Sequence, residues 1–343
     1  MKRQILLCIS ALLMLSTLSC SNDETLVETH TQNPSSENLT LPENNKVFGA
    51  YNALGYGYNA TGEYANTNAT GSKVINIDLF QAEQSARLLD ENTLSQEYSE
   101  EYGADAVAFS KVISKKVSAT EQMQLYGKTI SSIINSATTN STTLFDAKYI
   151  YGSYNLIIKQ KRYRLNATPD MLSNYLTQGF LQDLQSKTPE QIVRDYGTHV
   201  TVDIYTGAKV DMIFQAQTTN PDRQRAARAG VMTVINTLNS NVSNDADAQE
   251  ASKNYSKKLY CVTRGGDKSK GFAKVFNLDQ PNSKINISEW QSTSTKDNSV
   301  LVDFGTNGLV LIYDLIKDPS KKAQLKSYVD QYLTNNQVFL ASH

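Results

Sequence analysis

The sequence predicts an α+β domain organised around one large, bent sheet, and three observations carry that prediction. From His199 to Phe214 one phase of the chain is Val200, Val202, Ile204, Thr206, Ala208, Val210, Met212 and Phe214, the period of a strand with a single apolar face. At about 3.3 Å per residue such a strand runs roughly 50 Å, far beyond the usual five or six residues, and Gly207 in its middle marks a bend. Two segments, 105–148 and 216–258, are instead rich in Ser, Thr, Ala, Asn and Lys, with sparse apolar residues at helical spacing. The chain therefore reads strand, weakly apolar helical segment, strand, twice over.

At the N-terminus Met1-Lys2-Arg3 is basic, and residues 5–18 form an apolar run too short to span a bilayer as a mature helix, so residues 1–19 read as an export signal peptide. The run ends in "LSTLSC", which resembles the lipobox of bacterial lipoproteins and implies cleavage before Cys20 and lipidation of its thiol. The "SNDE" that follows is similar to the surface-export tag of Bacteroidetes lipoproteins. Together these imply a lipid-anchored protein of the outer membrane, exposed at the cell surface or released from it. Residues 20–45 are polar, with little to bury, and read as a flexible tether. No Pro/Gly/Ser linker divides residues 46–343, which read as one large domain.

Within that domain "LGYGYNATGEYAN" is a Gly- and Tyr-rich loop, and "KVINIDLF" alternates as a strand with Ile75, Ile77 and Leu79 in register. The first weak segment places Met123, Tyr126, Ile130, Ile133, Ile134 and Ala137 at helical spacing, and "YIYGSYNLIIKQKRYRL" returns to β-forming residues. Two helices follow, each opened by Thr-Pro. Thr168 caps "TPDMLSNYLTQGFLQDL"; Thr188 caps "TPEQIVRDYG", where Gln191 has capping-box spacing and Gly197 stands at a left-handed C-terminal cap. The second weak segment spaces Val231, Val234, Ile235, Leu238 and Val242 helically. "LYCVTRGGD", "GFAKVFNL" and "SVLVDFG" supply further strands around a loop with the single tryptophan, and a helix bearing Leu325, Tyr328, Val329, Tyr332 and Leu333 closes the domain.

Composition narrows the chemistry. Cys8 lies in the signal and Cys20 is the lipidation site, which leaves Cys261 without a disulfide partner. His30, His199 and His343 are the only histidines, too few with these thiols for a structural zinc site, and no cofactor is indicated. A formal net charge of −1 and a pI near 6.3 give no footprint for nucleic acid. Catalysis by His199 would need a motif-placed nucleophile or carboxylate, and neither a Gly-x-Ser-x-Gly elbow nor a His-Glu-x-x-His motif occurs. At a helix-to-strand junction it reads as a structural hydrogen-bonding residue, and the chain as no enzyme.

"YGTHV", six residues, then "GA" resembles the signature of the membrane attack complex/perforin (MACPF) family at Tyr196, Gly197, Thr198, His199 and Gly207. Val200 stands where an aromatic is usual, and Ala208 replaces a second glycine. "RGGD" and "SEWQSTSTKDNSVLVDFGTNGLVLIYDLI" are similar to the family's later part. The resemblance implies a bent, twisted four-stranded antiparallel sheet flanked by two helical clusters, which in pore formers unfurl into amphipathic β-hairpins of a giant barrel. Segments 105–148 and 216–258 lie where those clusters belong. Each exceeds forty residues, whereas a hairpin crosses the hydrocarbon with two strands of about 9 to 11. Neither segment alternates for long; Val231, Thr233, Ile235 and Thr237 do so only briefly. Gly265 and Gly266 form either a plain tight turn or, as the resemblance implies, a hinge at a flexible corner of the sheet.

The function so implied is that of a pore-forming surface lipoprotein, an antibacterial toxin. It would meet its target membrane through a lipid, a glycolipid or an outer-membrane protein receptor and assemble there into a ring of its own copies. An open sheet edge cannot sit in lipid, so such hairpins must close into one barrel. The alternative is a non-lytic adhesion module, or one that binds glycans or lipids, on the same scaffold.

Overall fold

The computed structural model describes residues 36–38, 46–115, 143–239, 245–280 and 285–341. The signal peptide, Cys20, most of the tether, His30, His343, Val242 and the six apolar residues singled out between 123 and 137 lie outside the described residues.

In chain order, β1 (Ser36–Asn38), β2 (Tyr56–Tyr58) and β3 (Thr70–Lys73) lead into helix α1 (Ile77–Gln84). "KVINIDLF" is thus not one strand. The Asn76 side chain accepts from the Leu79 amide at 3.2 Å, capping a helix that buries Ile77 and Phe80 three residues apart. The first long strand comes later, as β4 (Leu88–Gly103), largely exposed and rich in Asp, Glu and Ser. Having no buried face of its own, it carries no alternating signal.

Next come α2 (Ala106–Lys115), β5 (Thr143–Phe145) and β6 (Tyr149–Leu165). The single helix expected after Thr168 is two: α3 (Pro169–Leu172), capped by Thr168, and α4 (Gln178–Ser186), capped by Thr177. α5 (Pro189–Tyr196) carries the expected capping box between Thr188 and Gln191. The long alternating run that follows is also divided, into β7 (His199–Thr201) and β8 (Asp203–Thr218). It breaks because the amides of Val202 and Asp203 both donate to the Gly308 carbonyl, at 2.8 and 3.3 Å, which turns the chain out of one sheet and into another.

The remaining elements are α6 (Arg223–Asn239), α7 (Asp245–Ala251), β9 (Asn254–Arg264), β10 (Ala273–Asn277), α8 (Ser288–Gln291), β11 (Val300–Phe304), β12 (Leu309–Leu311), α9 (Pro319–Asn335) and β13 (Val338–Leu340).

Four long strands, β4-β6-β8-β9, form the antiparallel sheet that the resemblance implies. Three short strands enlarge it to seven: β10 and β1 continue beyond β9, and β11 pairs with β8. A separate sheet runs β12-β7-β2-β3, and β13 lies parallel to β5. The single apolar phase read from the sequence therefore serves two cores. Val200, Val202 and Ile204 join the larger one, with Ile192 of α5 and Leu325, Val329 and Leu333 of α9. Ala208, Val210, Met212 and Phe214 pack instead under α6 and Trp290.

Candidate functional site

The family-like signature occupies two places. At the first, α5 ends on Tyr196, whose hydroxyl donates to Asp183 at 2.8 Å and whose ring stands edge-on to Phe180 at 4.9 Å. Burial, with the Asp183 carboxylate, pushes that hydroxyl up to about 12. Gly197 follows at φ 88° and ψ −165°, a region essentially closed to other residues, which corrects the left-handed cap expected there. A Cβ at Gly197 would sit 2.4 Å from the Tyr58 carbonyl carbon. Thr198 is fully buried: its amide donates to the Tyr58 carbonyl at 3.0 Å, and its hydroxyl accepts from the Ala60 amide at 3.1 Å and lies 2.9 Å from Nδ1 of His199.

His199 is 8 % exposed, and burial pulls its pKa down to about 4, so the ring is neutral at physiological pH. It welds helix end to strand. At pH 7.5 His199→Ala is expected to cost about 1 to 3 kcal/mol, by removing a buried bonded ring. Above the ordinary histidine pKa both folded and unfolded chains carry a neutral ring. Between about 6.5 and about 4 the unfolded chain binds a proton that the folded one refuses, so this group's contribution falls as pH falls, by about 3 kcal/mol in all. The stability gap between wild type and His199→Ala should accordingly narrow on acidification in urea titrations; a gap independent of pH would show a ring that protonates in the folded state.

The second place is the bend. Gly207 lies under β6 so closely that a Cβ would fall 1.8 Å from the Ile158 carbonyl oxygen. The β6 register shifts there between Lys159 and Lys161, and the extra residue, Gln160, donates to the Ser294 carbonyl at 3.1 Å. β8 also changes neighbours at this point: residues 204–207 pair with β11, and Lys209 onward pairs with β9. Gly265 and Gly266, at φ 69° and 68°, end β9 at this corner, and a Cβ on Gly265 would come within 2.4 Å of the Gly207 carbonyl oxygen. Trp290 clasps the corner by donating its indole N–H to the Gly265 carbonyl at 2.9 Å, while Thr293 accepts from the Asp267 amide at 2.9 Å. The glycine pair thus forms a corner tied down by Trp290 of α8 and by Thr293 just after it.

A row of cations from adjacent strands crosses the bend, and sequence reasoning missed it. Lys159 pairs with Glu97 at 2.6 Å and Asp303 at 3.0 Å, with its ammonium 4.0 Å from the centre of the Tyr205 ring. Burial pulls the Lys159 pKa down, but the two carboxylates outweigh it, and the net shift is upward. Lys209 donates to the Tyr64 carbonyl at 2.8 Å and pairs with Asp211 at 3.0 Å; Arg264 pairs with Glu63. The Tyr64 hydroxyl in turn donates to Asp303 at 2.6 Å. These contacts fasten the Gly- and Tyr-rich loop across the sheet. The one local hint was Lys209 and Asp211, which pair with each other in the polar phase just after Gly207; their other partners, Tyr64 and Arg264, lie far away in the chain.

The helical segments attach at one end of the same sheet. β4 and β6 are paired up to Gly103↔Tyr151, and β8 and β9 up to Thr218↔Asn254, so each insertion joins two neighbouring antiparallel strands. α6 lies on the sheet through Ala226, Ala227, Val231 and Val234, and a Cβ on Gly230 would meet the Phe214 ring at 2.3 Å. Leu238, spaced for the same face, has a side chain outside the described residues. Arg223, at the start of α6, donates to the carbonyls of Ala104 at 2.9 Å, Ala147 at 2.7 Å and Tyr149 at 3.0 Å, tying the second segment to both ends of the first.

Known proteins share this architecture. The sequence profile described as MAC/Perforin domain matches residues 42–339, while no curated protein matches the chain. Among solved structures, a MAC/Perforin-domain protein from Bacteroides thetaiotaomicron VPI-5482 superposes with a TM-score of 0.66 at 17 % identity, over 82 % of this chain and 60 % of that one. GNIP1Aa from Chromobacterium piscinae does so with a TM-score of 0.61 at 16 % identity, over 83 % and 56 %. The chain spans less than two thirds of either neighbour's length. With its profile matched over most of the sequence and its bent sheet shared with these structures, the chain belongs to the MAC/Perforin domain family.

Proposed function

We propose that the protein is a pore-forming toxin that assembles on the membranes of competing bacteria, each copy contributing two β-hairpins to a shared barrel. One observation carries the reading: each helical segment is inserted between neighbouring antiparallel strands at the same end of the sheet. Refolding residues 219–253 as a hairpin would prolong β8 and β9 in their existing register and leave the topology unchanged. That stretch is long enough for two strands of about 9 to 11 residues. The helix it would abandon meets the sheet at its start through Ala226, Ala227 and Gly230, which bury little apolar area per residue, and further on through Val231, Val234 and Ile235, whose burial is what lifting the helix gives up. Among the described residues no helix is long and apolar enough to cross a membrane, and this reading needs none.

Among the described residues β4 is the last strand of the sheet, with no strand paired beyond it, and it is the edge this reading gives to a neighbouring copy, whereas β10 covers the edge of β9. In this reading a ring closes when a neighbour's β4 takes the place of β10. The protein reaches the cell surface on a lipid attached to Cys20, and it performs no enzymatic step. The brief alternation across Val231–Leu238 favours the second reading, a non-lytic binding module on the same scaffold. Release of an encapsulated dye separates the two, measured on liposomes of bacterial lipid and on whole cells of related species, with fatty-acid labelling of wild type and Cys20→Ala run alongside. Concentration-dependent release is expected, with label lost from the variant. Intact vesicles and intact cells at all concentrations would select the non-lytic reading.

A further inference from the structure

Beside Gly197 of the signature, a cleft of about 410 Å³ opens between α5, α9 and the loop that joins β2 to β3. Its volume lies in the range of about 300 to 1,000 Å³ that small-ligand sites occupy. α9 contributes Tyr328 and Tyr332, one helical turn apart, with ring centres 6.3 Å apart and planes inclined by 24°, so the two form a continuous aromatic wall. α5 contributes Glu190 and Arg194, also one turn apart, and the loop contributes Asn59 and Asn68. The wall is pre-set. The Asn59 side-chain amide donates to the Tyr332 hydroxyl at 2.9 Å, while its oxygen accepts from the amide and hydroxyl of Thr61 at 3.0 and 2.8 Å, which fixes the amide's orientation and through it the ring.

The lining selects by what it combines. Arg194 is already engaged by Asp195 at 2.8 Å, and Glu190 adds a negative charge, so the cleft presents no surplus of positive charge for a phosphate. Among the described residues its only aliphatic side chains are Ala69 and Val193, too little apolar surface for an acyl chain. Aromatic faces beside amides, a carboxylate and a guanidinium suit a neutral molecule with one apolar face and a rim of hydroxyls. We propose that this cleft is a saccharide site, taking a neutral pyranose with its C–H face on the Tyr328–Tyr332 wall and its hydroxyls on Glu190, Arg194 and Asn68. The sugar belongs to a surface glycan, borne by a glycolipid or by a protein. The site uses none of the residues that would unfurl, so it stands or falls separately from pore formation.

Saturation-transfer NMR on the purified protein tests it, with glucose, galactose, mannose, N-acetylglucosamine and rhamnose as probes, each free and as its methyl glycoside, followed by a bacterial glycan array. At least one probe should show transfer to its ring protons. Tyr328→Ala should weaken that binding by about ten-fold or more. Because Tyr328 also packs against its neighbours, Glu190→Gln serves as the second variant: the residue is exposed, its replacement removes one first-turn charge of α5 and should lower the melting temperature only slightly, and binding should fall several-fold. For the sugar that binds, liposomes bearing it as a glycolipid are compared with albumin bearing it covalently, and capture by either supports the site while naming its source. Absence of transfer from every sugar on panel and array, or binding that neither variant alters, would overturn the proposal.

Discussion

Joining α6 to the sheet by a disulfide between Gly152→Cys and Val231→Cys should abolish dye release under oxidising conditions, and reductant should restore it. The pair is chosen on distance: a Cβ built on Gly152 of β6 falls 2.4 Å from Cγ2 of Val231, so two thiols there face each other across the helix–sheet gap within reach of a bond. The proposed mechanism requires α6 to leave β6 and β8 before residues 219–253 can extend as a hairpin, and a covalent tie at Val231 forbids that movement. Membrane binding should persist, because neither tied residue lines the cleft, and Gly152 meets Glu101 and Tyr102 of β4 only on the side already paired with β6. Cys261 can remain in place: it is fully buried, and burial pushes its thiol well above the ordinary range, so it supplies no thiolate for exchange. Undiminished release from the oxidised protein would show that α6 stays on the sheet while membranes are breached, and the hairpin reading of this segment would be lost.

The largest effect on stability is expected at the bend. Gly207→Ala should cost more than about 4 kcal/mol, or leave no folded protein, because its Cβ would lie 1.8 Å from the Ile158 carbonyl oxygen. Relief would require β6 and β8 to separate where Gly265 already presses on the Gly207 carbonyl and where Lys159 of β6 pairs with Asp303 of β11, itself paired with β8. Separating that pair strands buried charge, which adds to the steric cost. Gly179→Ala in α4 is the matched control: nothing lies within 4 Å of its Cβ, and alanine suits a helix, so the change should be neutral or stabilising by up to about 1 kcal/mol. Urea titrations of the two variants check the contrast. A Gly207→Ala protein within 1 kcal/mol of wild type would mean that the bend opens at little cost, and the close packing of β6 on β8 would then carry no weight in the argument.

Much of this architecture is readable in order along the chain because the signals are local. A helix cap is written within three residues, as at Thr188 and Gln191, and the face of a strand within every second one, as from Ala208 to Phe214. Those periods, with Gly207 between them, were enough to place the bent sheet, the second insertion and the last helix, while the helically spaced residues of the first insertion lie outside the described residues. Local signals also misled where a longer-range demand outweighed them. "KVINIDLF" alternates like a strand, yet Asn76 caps a helix there whose Ile77 and Phe80 are wanted by the core; β4 has no buried face and so announced nothing.

What only the tertiary structure decided is which distant residues meet. The division of the long strand at Val202 depends on the Gly308 carbonyl, more than a hundred residues on. Tyr64 reaches Asp303 across 239 positions, Asn59 reaches Tyr332 across 273, and Arg223 binds carbonyls at both ends of the other insertion. None of these pairs has a period or a spacing. A buried cation or a buried amide is tolerable only with its partner in place, and the partner is supplied by the way the chain folds back; the residues that brace the bend and shape the cleft could therefore be recognised as sets only after the strands had been brought together.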